Sequence, residues 1–329
     1  MKISVAMCTF NGSKYIKEQL QSIFTQSRLP DELIVCDDCS NDHTAAIVKS
    51  FAAHSAFPVR CIENEQNLGS TKNFEKAISL CTSDIIFLSD QDDIWEYQKI
   101  EKIMQAFADN KNIGYVFSDA ELVDEELKSL GNTLWNVLNF NGRILQDFKQ
   151  NKQVEVLIRK NYITGATVAF KAELKDKILP ISDNWFHDGW IAFIASAIGI
   201  KGLALSECLI KYRQHNQQQI GVQISLFDQV KVAQNFAGST EYIKALSGQF
   251  DLKKRLETFK TYGIYDIEHI IRLVDEKIEF IKARVKIYSS SGLEKWEIIL
   301  KEIARGNYQR FSSSWRSIGK DLLYRKRNF

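Results

Sequence analysis

The chain has 329 residues, and its hydrophobic content of 45% and charged content of 26% are ordinary for a soluble globular protein with a large core. Its 3 prolines argue against long linkers or disordered tracts, and the longest nearly apolar run, residues 190–200, is far below the ~20 residues of a membrane-spanning helix. A net charge of +2 comes without the broad basic face that nucleic-acid binding requires. Because residues 1–4 are charged and strand-forming where a signal peptide would be apolar, we expect a cytoplasmic protein.

Residues 1–120 alternate short β-rich runs with runs of helical periodicity. Apolar residues recur at steps of three and four, for example between residues 74 and 81. Buried strands are predicted where apolar residues follow one another without polar alternation, at residues 3–8, 33–36, 59–62 and 85–88. Strands of this kind separated by helices predict an α/β fold with a parallel sheet that is covered on both faces.

The later residues predict a second part of the sheet and then a helical extension. Strands are indicated at residues 114–117, 167–170 and 203–210, and the strand signals stop at about residue 224. Between residues 267 and 285, apolar residues keep to one helical face. The last third of the chain is therefore expected to be helical.

An acidic cluster, Asp90-Gln91-Asp92-Asp93, directly follows the fourth predicted strand. Its carboxylates repel one another, and burying one beside another is costly without a cation. A divalent ion held by one or two carboxylates and by substrate phosphates removes this repulsion and suits Mg²⁺ or Mn²⁺. The alternative is a solvated acidic turn that caps the next helix, and the cluster alone does not decide between the two.

Two further polar clusters follow the first two strands, at residues 9–11 and 37–42. An aspartate at a strand end can accept hydrogen bonds from a base or a ribose, and Phe10 can pack on a planar base. A helix cap is the alternative for the second cluster. Because the carboxyl ends of parallel strands meet at one edge of the sheet, we expect these clusters and the acidic one to lie together.

Two later segments contain the remaining candidates. At residues 185–190, His187 and Asp188 stand among three aromatic residues, so the carboxylate is a candidate general base, with a helix cap as the alternative. After the last predicted strand, Arg213 and His215 offer a cation and a neutral metal ligand. This pair predicts a phosphate clamp or, alternatively, a plain surface turn.

In their order and spacing, these motifs resemble those of the family 2 glycosyltransferases, which are inverting enzymes with the GT-A fold. The similarity covers about residues 1–220 and looks most like non-processive members that build bacterial surface polysaccharides, including rhamnosyltransferase-like ones. The matching segments are Val5-Ala6-Met7-Cys8-Thr9-Phe10-Asn11-Gly12, Asp37-Asp38-Cys39-Ser40-Asn41-Asp42-His43-Thr44, Asn67-Leu68-Gly69, Asn73-Phe74, Phe87-Leu88-Ser89-Asp90-Gln91-Asp92-Asp93-Ile94-Trp95, Thr164-Gly165-Ala166-Thr167, His187-Asp188-Gly189-Trp190 and Tyr212-Arg213-Gln214-His215.

The resemblance implies a role for each matching residue. Asp188 corresponds to the catalytic base, and Asp92 with His215 would hold the Mg²⁺ or Mn²⁺ that bridges the diphosphate. His187 and Trp190 would contact the acceptor, although many members have Glu where His187 stands. The nucleotide would be bound by Thr9, Phe10, Asn11, Asp38 (on the base), Lys72 (near a phosphate) and Asp90 (near the ribose).

The resemblance also implies fold, domains and reaction. We expect a GT-A domain at 1–222, with a nucleotide-binding part at about 1–120 and an acceptor part at about 121–222, followed by a helical extension at 223–329. A nucleotide diphosphate sugar would donate a single sugar, with inversion, to a glycan or lipid-linked glycan, since the Gln-x-x-Arg-Trp element of processive synthases is missing. The alternatives are a non-catalytic sugar-nucleotide-binding homologue and, more weakly, a sugar nucleotidyltransferase, which should carry a Gly-rich phosphate loop.

The C-terminal residues 306–329 have six basic residues against one acid. If this segment is one helix, an apolar stripe lies among the cations, and such a helix can bind the inner face of an anionic membrane. The stripe would consist of Tyr308, Phe311, Trp315, Ile318 and Leu322. The alternative is that the stripe packs on the helical extension itself.

Overall fold

The computed structural model describes residues 1–215, 239–262 and 266–323. Within these residues, nine strands form one sheet. The strands are β1 (Ile3–Thr9), β2 (Glu32–Asp37), β3 (Val59–Glu63), β4 (Ile85–Ser89), β5 (Ile94–Trp95), β6 (Ile113–Val123), β7 (Ser129–Thr133), β8 (Val168–Lys171) and β9 (Lys201–Arg213). They follow the order β3-β2-β1-β4-β8-β6-β9-β5, and β7 pairs with β6.

The first four strands form the parallel half of the sheet. β1 pairs in parallel with β2 on one side and with β4 on the other, and β2 pairs with β3. Every residue of β1, β2 and β4 is buried, because helices cover both faces. The chain order reverses at β1, so a crevice forms at the carboxyl ends of β1 and β4, which is where open α/β sheets bind ligands.

The second half of the sheet is mixed. β8 runs antiparallel to both β4 and β6, while β9 runs parallel to β6. β5 pairs antiparallel with β9 and so holds the segment after β4 against the end of β9. The short strands β5 and β7 were not predicted, because β5 has only two residues and β7, with the sequence Ser-Leu-Gly-Asn-Thr, contains no apolar run.

The helices in the described residues place their apolar faces at steps of three and four, as expected from the sequence. They are α1 (Ile16–Phe24), α2 (Thr44–Ala52), α3 (Ser70–Leu80), α4 (Lys99–Asp109), α5 (Leu134–Leu138), α6 (Gly142–Lys149), α7 (Gln153–Arg159), α8 (Lys175–Ile178), α9 (His187–Ala197), α10 (Ser239–Thr258), α11 (Ile267–Ser289), α12 (Gly292–Ala304), α13 (Asn307–Phe311) and α14 (Trp315–Leu323). Among them, α1 and α4 contribute Ile16, Leu20, Ile23, Ile100 and Ile103 to the main core. None of these helices has the length and apolar character needed to cross a membrane.

The chain divides into two compact units. The first contains the sheet and the helices that cover it, and the second contains α7 and the helices α10 to α14. The predicted α/β class and the helical C-terminal region are therefore confirmed. The boundary predicted at residues 222 and 223 lies outside the described residues, whereas residues 152–161, which the sequence placed in the first domain, belong to the second unit.

The second unit is organised around the buried carboxylate of Asp321. Arg284 donates two hydrogen bonds to it, from Nε at 2.8 Å and from Nη2 at 2.7 Å. The hydroxyls of Tyr288 and Tyr308 donate two more, at 2.9 and 2.8 Å. This buried charge is fully paired, so it ties α11, α13 and α14 together.

The C-terminal apolar stripe is only partly as predicted. Residues 312–314 interrupt the helix, so α13 and α14 are separate. Tyr308, Phe311 and Ile318 are buried in the second unit, whereas Trp315 is 73% exposed. A single continuous stripe facing a membrane was therefore wrong for those three side chains, because the unit's own core uses them. The basic residues 325–327 lie outside the described residues.

Lys277 of α11 joins two helix ends in the second unit. Its Nζ donates to the carbonyl of Ile158 at 3.0 Å and to that of Phe311 at 2.5 Å. These carbonyls belong to the last turns of α7 and α13, where a cation is favourable. Burial, together with the positive charges of Arg284 and Arg159, nevertheless lowers the pKa of Lys277 to about 7.

Candidate active site

The carboxyl ends of β1, β2 and β4 bring the predicted polar clusters to one edge of the sheet. Thr9 lies opposite Asp37 in the register of β1 and β2, and Met7 lies opposite Ser89 in that of β1 and β4. The Thr9 hydroxyl donates to Asp37 Oδ2 at 2.6 Å. The segments that follow these strands therefore adjoin one another, as the strand pattern predicted.

The acidic loop after β4 contains two acids with raised pKa values. Burial, with the neighbouring negative charges of Asp92 and Asp188, raises the pKa of Asp90 to about 7. Burial also raises the pKa of Asp93 well above its usual range. Asp93 Oδ1 accepts a hydrogen bond from the Arg213 amide at 3.1 Å, and its buried Oδ2 has no partner among the described residues. The loop thus gathers acids whose charged forms are disfavoured by burial and by one another.

Lys99 is a buried cation on which the acids of this loop act. Its Nζ donates to the carbonyl of Ala166 at 2.7 Å and lies 3.6 Å from the centre of the Trp95 ring. Burial lowers the pKa of Lys99 well below its usual range, and the negative charges of Asp93 and Asp90 oppose that shift. One buried lysine cannot balance all the carboxylates, so the loop favours an additional cation.

His215 and Asp92 form a candidate metal-binding pair. His215 Nε2 lies 2.9 Å from Asp92 Oδ2, and the imidazole packs on the Tyr15 ring with 4.6 Å between ring centres. In the described part of the chain, no three His, Cys, Asp or Glu side chains converge as a metal site made of protein alone would require. An imidazole and a carboxylate do fit a Mg²⁺ or Mn²⁺ ion whose remaining ligands are phosphates and water.

Gln91 joins the acidic loop to the loop after β1. Its side-chain amide accepts from the Phe10 amide at 2.9 Å and donates to the Phe10 carbonyl at 3.0 Å. A Cβ at Gly12 would lie 2.1 Å from Gln91 Oε1, so this approach requires glycine. Phe10 itself is 48% exposed at the edge of the site. Gln91 thus fixes an exposed aromatic ring relative to the carboxylates.

Asn11 links the first loop to the second. Its amide donates to Ser40 Oγ at 2.8 Å, and its Oδ1 accepts from the Asn41 amide at 2.9 Å. Thr9 is buried, and its hydroxyl is engaged by Asp37. The side chains of Thr9 and Asn11, which were predicted to bind the nucleotide, therefore hold the loops in their conformation in this structure.

Asp38 organises the loop before α3. Its Oδ1 accepts from the Leu68 amide at 2.7 Å and from Asn64 Nδ2 at 2.9 Å, and its Oδ2 accepts from the Gly69 amide at 2.8 Å. The Gly69 backbone has φ +76°, a conformation that favours glycine. The predicted contact between Asp38 and a base stays a prediction, since both oxygens are engaged here.

Lys72 on α3 is held by protein groups. Its Nζ donates to Glu75 Oε2 at 2.9 Å and to the Ile181 carbonyl at 2.6 Å, and it lies 3.5 Å from Asp183 Oδ1. The predicted reach to a phosphate is not tested by these contacts. They do give the lysine a local role in tying α3 to the segment before α9.

Asp188 lies in the first turn of α9. Its Oδ2 accepts from the Gly165 amide at 2.9 Å, and its Oδ1 accepts from the Gly189 amide at 2.5 Å. Asp188 also lies at the positive end of the α9 dipole. The charge of Asp188 contributes to the raised pKa of Asp90, so the two carboxylates act on each other electrostatically although 98 positions separate them in the sequence.

His187 and Trp190 face the interior. His187 stacks on Phe74 with 3.9 Å between ring centres, and burial lowers its pKa. Trp190 is 2% exposed, and its Nε1 donates to the Ile178 carbonyl at 2.7 Å. This burial argues against the predicted acceptor-binding role of both side chains. The structure instead exposes Phe186, the residue just before His187, at 52%.

The sequence reading missed the residues that support the site. Gln91 stands inside the acidic motif, but its pairing with Phe10 depends on a contact across 81 positions. Lys99 and Tyr15 read as ordinary members of helices, although one lies near the buried acids and the other packs on His215. The acid-rich motif could have suggested a buried cation such as Lys99 nearby. No local sequence feature indicated that Tyr15 packs on His215.

The chain belongs to the family described as glycosyl transferase family 2, whose model matches residues 4–173, just over half of the chain. The matched stretch contains β1 to β4, the acidic loop and Gly165. It ends before α9 and β9, so Asp188 and His215 lie outside it.

Known relatives of the chain are also glycosyltransferases. An uncharacterised glycosyltransferase of Methanocaldococcus jannaschii is 28% identical over 228 residues, which are 65% of this chain and 71% of that protein. The dTDP-rhamnosyl transferase RfbG of Shigella flexneri is 25% identical over 67% of this chain and 75% of its own length. The putative glycosyltransferase EpsE of Bacillus subtilis is 36% identical, but over 31% of this chain and 36% of its own length.

Solved structures share the fold. The S. aureus protein TarS 1-349, in complex with UDP-GlcNAc, superposes with a TM-score of 0.54 at 18% identity, covering 93% of this chain and 92% of that chain. The mannosyltransferase PcManGT of Pyrobaculum calidifontis, in complex with GDP-Man and Mn²⁺, gives a TM-score of 0.50 at 15% identity, over 98% and 85% of the two chains. The predicted GT-A fold is thereby confirmed.

Proposed function

We propose that the chain transfers a single sugar from a nucleotide diphosphate sugar to an acceptor hydroxyl, with inversion of the anomeric centre. One observation carries this proposal: Asp92, in the acidic loop with Asp90, contacts His215, and the charge of Asp188 acts on Asp90. Part of this cluster can hold the donor's diphosphate with a cation, while Asp188 remains for the acceptor's proton.

The donor is supported by the loops after β1 and β2. The exposed ring of Phe10 offers a stacking surface for a base, and it is held by Gln91. Asp90, whose pKa is raised by burial and by the charges of Asp92 and Asp188, can hydrogen-bond a ribose hydroxyl in either protonation form. Two proteins that share the fold were solved with UDP-GlcNAc and with GDP-Man, which supports this donor class. The nucleotide-binding part would thus lie within about residues 1–120.

Asp92 and His215 are the residues that would hold Mg²⁺ or Mn²⁺. When bound, such an ion supplies positive charge to the leaving diphosphate. The protein's own contribution is to keep the imidazole and the carboxylate 2.9 Å apart and facing each other. A fold neighbour solved with Mn²⁺ supports a divalent cation.

Asp188 would act as the general base. As the acceptor oxygen bonds to the anomeric carbon, the bond from that carbon to the diphosphate oxygen breaks, and the acceptor's proton passes to the carboxylate. No covalent enzyme intermediate is required, so a single displacement inverts the centre. The two backbone amides that donate to Asp188 orient its carboxylate at the start of α9.

Two other functions fit parts of the site less well. A non-catalytic sugar-nucleotide-binding homologue would not need Asp188 beside the acidic loop. A sugar nucleotidyltransferase would need a Gly-rich phosphate loop, whereas the loop after β1 contains Gly12 alone between residues 8 and 16. Transfer to an acceptor uses every group that the site brings together.

A relative named as a dTDP-rhamnosyl transferase supports a donor in the hexosyl or deoxyhexosyl class. The acceptor that we propose, a glycan or a lipid-linked glycan of bacterial surface polysaccharide, comes from the family resemblance of the motifs. The exposed Phe186 beside α9 is a better candidate for an acceptor contact than His187 or Trp190. We place the acceptor part within about residues 121–222.

We also propose reversible attachment of a cytoplasmic enzyme to an anionic membrane through the second unit. Exposed apolar side chains on α12 and α14 take the place of the predicted stripe as the membrane-binding surface. The one acid of the C-terminal segment, Asp321, is paired with Arg284. The exposed charge of that segment is therefore basic, including Arg316. The apolar side chains are Leu293, Trp296, Leu300, Trp315 and Leu323.

The proposed reaction is tested by incubating the full chain with Mn²⁺ and a panel of nucleotide diphosphate sugars. We expect release of nucleoside diphosphate from one donor class, and faster release when its acceptor is present. If no donor is turned over and neither UDP nor GDP binds, the proposal fails. The panel should include dTDP-rhamnose, UDP-GlcNAc and GDP-Man, because the named relatives use or bind these chemistries.

A further inference from the structure

Arg213, at the end of β9, makes several contacts next to the candidate metal-binding pair, His215 and Asp92. Its side chain is 2% exposed. Nε donates to the carbonyl of Asp92 at 2.8 Å, Nη1 donates to that of Glu125, and Nη2 pairs with Glu18. These contacts engage the guanidinium with the protein, so neither predicted alternative, a phosphate clamp or a plain surface turn, describes Arg213 in this structure. Its side chain instead fixes the backbone of the acidic loop.

Tyr15, just before α1, connects Arg213 to His215. The guanidinium carbon of Arg213 lies 4.6 Å from the centre of the Tyr15 ring, and the His215 ring centre lies 4.6 Å from it as well. Tyr15 is buried, and the two side chains that pack on it are separated by one residue in the sequence. One aromatic surface therefore sets the position of both.

We infer that Arg213 and Tyr15 are positioning residues that hold His215 and Asp92 in the geometry needed to bind a divalent cation. This inference rests on the proposed function. Arg213 controls the backbone of Asp92, and Tyr15 controls the plane of the imidazole. Outer groups that orient metal ligands typically change metal affinity by about 10- to 100-fold when they are removed.

A purely structural role makes a different prediction. If Tyr15 and Arg213 only stabilise the fold, their replacement lowers the free energy of unfolding without a specific effect on the ion. If Tyr15 acts through His215, its effect on metal affinity disappears once His215 is gone, because coupled residues are not additive. A double-mutant cycle on metal affinity therefore separates the two roles for Tyr15. Arg213 acts on the Asp92 backbone, so its role is judged by its effect on metal affinity beside its effect on stability.

The experiment measures Mn²⁺ binding to the full chain by electron paramagnetic resonance, with Mn²⁺ alone and with Mn²⁺ plus UDP. The variants are Tyr15→Leu, which removes the ring face, and Arg213→Lys, which keeps the charge but loses the planar fork. Lys17→Gln is the matched control, since Lys17 is an exposed cation at the start of the same helix. Thermal midpoints without Mn²⁺ report any general loss of stability.

We expect Tyr15→Leu and Arg213→Lys to weaken Mn²⁺ binding at least about tenfold, with Lys17→Gln unchanged. In a His215→Ala background, Tyr15→Leu should cause no further loss. Wild-type affinity in both variants, or a full additional loss in that background, overturns the inference while leaving the proposed function intact. A wild-type chain that does not bind Mn²⁺ even with UDP contradicts the proposed metal pair and the inference with it.

Discussion

His215 Nε2 lies 2.9 Å from Asp92 Oδ2, although 123 positions separate the two residues in the chain. Their approach follows from the sheet, because β5 leaves the acidic loop and pairs antiparallel with β9, which ends just before His215. The same strand end carries Arg213, whose amide donates to Asp93. Strand pairing thus brings the two residues of the candidate metal-binding pair together. Substitutions at the residues of this site should therefore have distinct, measurable effects.

Replacing Asp92 by Asn should abolish cation-dependent turnover of the donor while the fold is retained. The amide keeps the shape of the side chain but supplies no negative charge to a divalent ion. The measurement is release of nucleoside diphosphate against Mn²⁺ concentration, together with a thermal midpoint. Asp109→Asn, at an exposed position at the end of α4, is the matched control and should behave as the wild type. Full activity of the wild type in excess chelator would contradict this role.

Replacing Gln91 by Ala should weaken donor binding by about tenfold. The change removes both hydrogen bonds to the Phe10 backbone, each with a net value of about 0.5–1.5 kcal/mol, and frees the loop that presents the exposed ring. The measurement is the KM for the donor, or the Kd for its nucleoside diphosphate. The control is Gln105→Ala on the exposed face of α4. An unchanged donor affinity would show that the amide pair does not matter for the pocket.

Lys277 should make the stability of the protein rise with pH above neutrality. The unfolded chain holds this proton up to the usual pKa of 10.5, whereas the folded chain releases it near 7. Between those values the unfolded state binds more protons, so the free energy of unfolding rises by up to about 1.4 kcal/mol per pH unit from this group. Below pH 7 the full cost of the buried charge is present.

The test compares wild type with Lys277→Met by chemical unfolding from pH 7.5 to pH 9.5. The stability of the wild type relative to this variant should increase across the range. Lys282→Met is the control, because Lys282 is exposed and pairs with Glu279 in the same helix, so no such slope is expected. Parallel curves for wild type and Lys277→Met would mean that Lys277 keeps its proton, through its contacts with the helix-end carbonyls.

Membrane attachment is better tested with point variants than by truncation after Gly306, because truncation would remove the buried groups Tyr308 and Asp321. The double variant Trp296→Ser with Trp315→Ser removes two exposed rings and should strongly reduce co-sedimentation with anionic vesicles. Tyr97→Ser removes an exposed ring from the first unit and is the control. Equal binding of all variants, or no binding by the wild type, would refute the membrane role.

The sequence predicted the parts of the fold that repeat a local pattern. The unbroken apolar runs of β1, β2 and β4 marked buried parallel strands, and the polar residues after them marked one edge of the sheet. The acidic loop was recognisable because its carboxylates are adjacent in sequence. In each case the deciding physical effect acts over a few residues.

Other features depend on partners that lie far away in the chain. Arg213 looked free to bind a phosphate, but its partner Glu18 is 195 positions away. Trp190 was predicted to contact the acceptor, but its Nε1 donates to the carbonyl of Ile178, which identifies it as a core residue. Tyr308 was predicted to belong to a membrane-binding stripe, but its hydroxyl donates a hydrogen bond to Asp321. Periodicity reports that a face is apolar but not what covers it.

The central claim is that Asp188 removes the proton of the acceptor hydroxyl while a cation holds the diphosphate of the donor. The most direct measurement is sugar transfer by Asp188→Asn, with nucleotide affinity measured in parallel and with Asp176→Asn, an exposed first-turn aspartate of α8, as the control. The account predicts unchanged nucleotide affinity, a transfer rate lower by about 10²- to 10⁴-fold, and a control equal to the wild type. Transfer by Asp188→Asn at nearly the wild-type rate would contradict it and would reduce Asp188 to a helix cap.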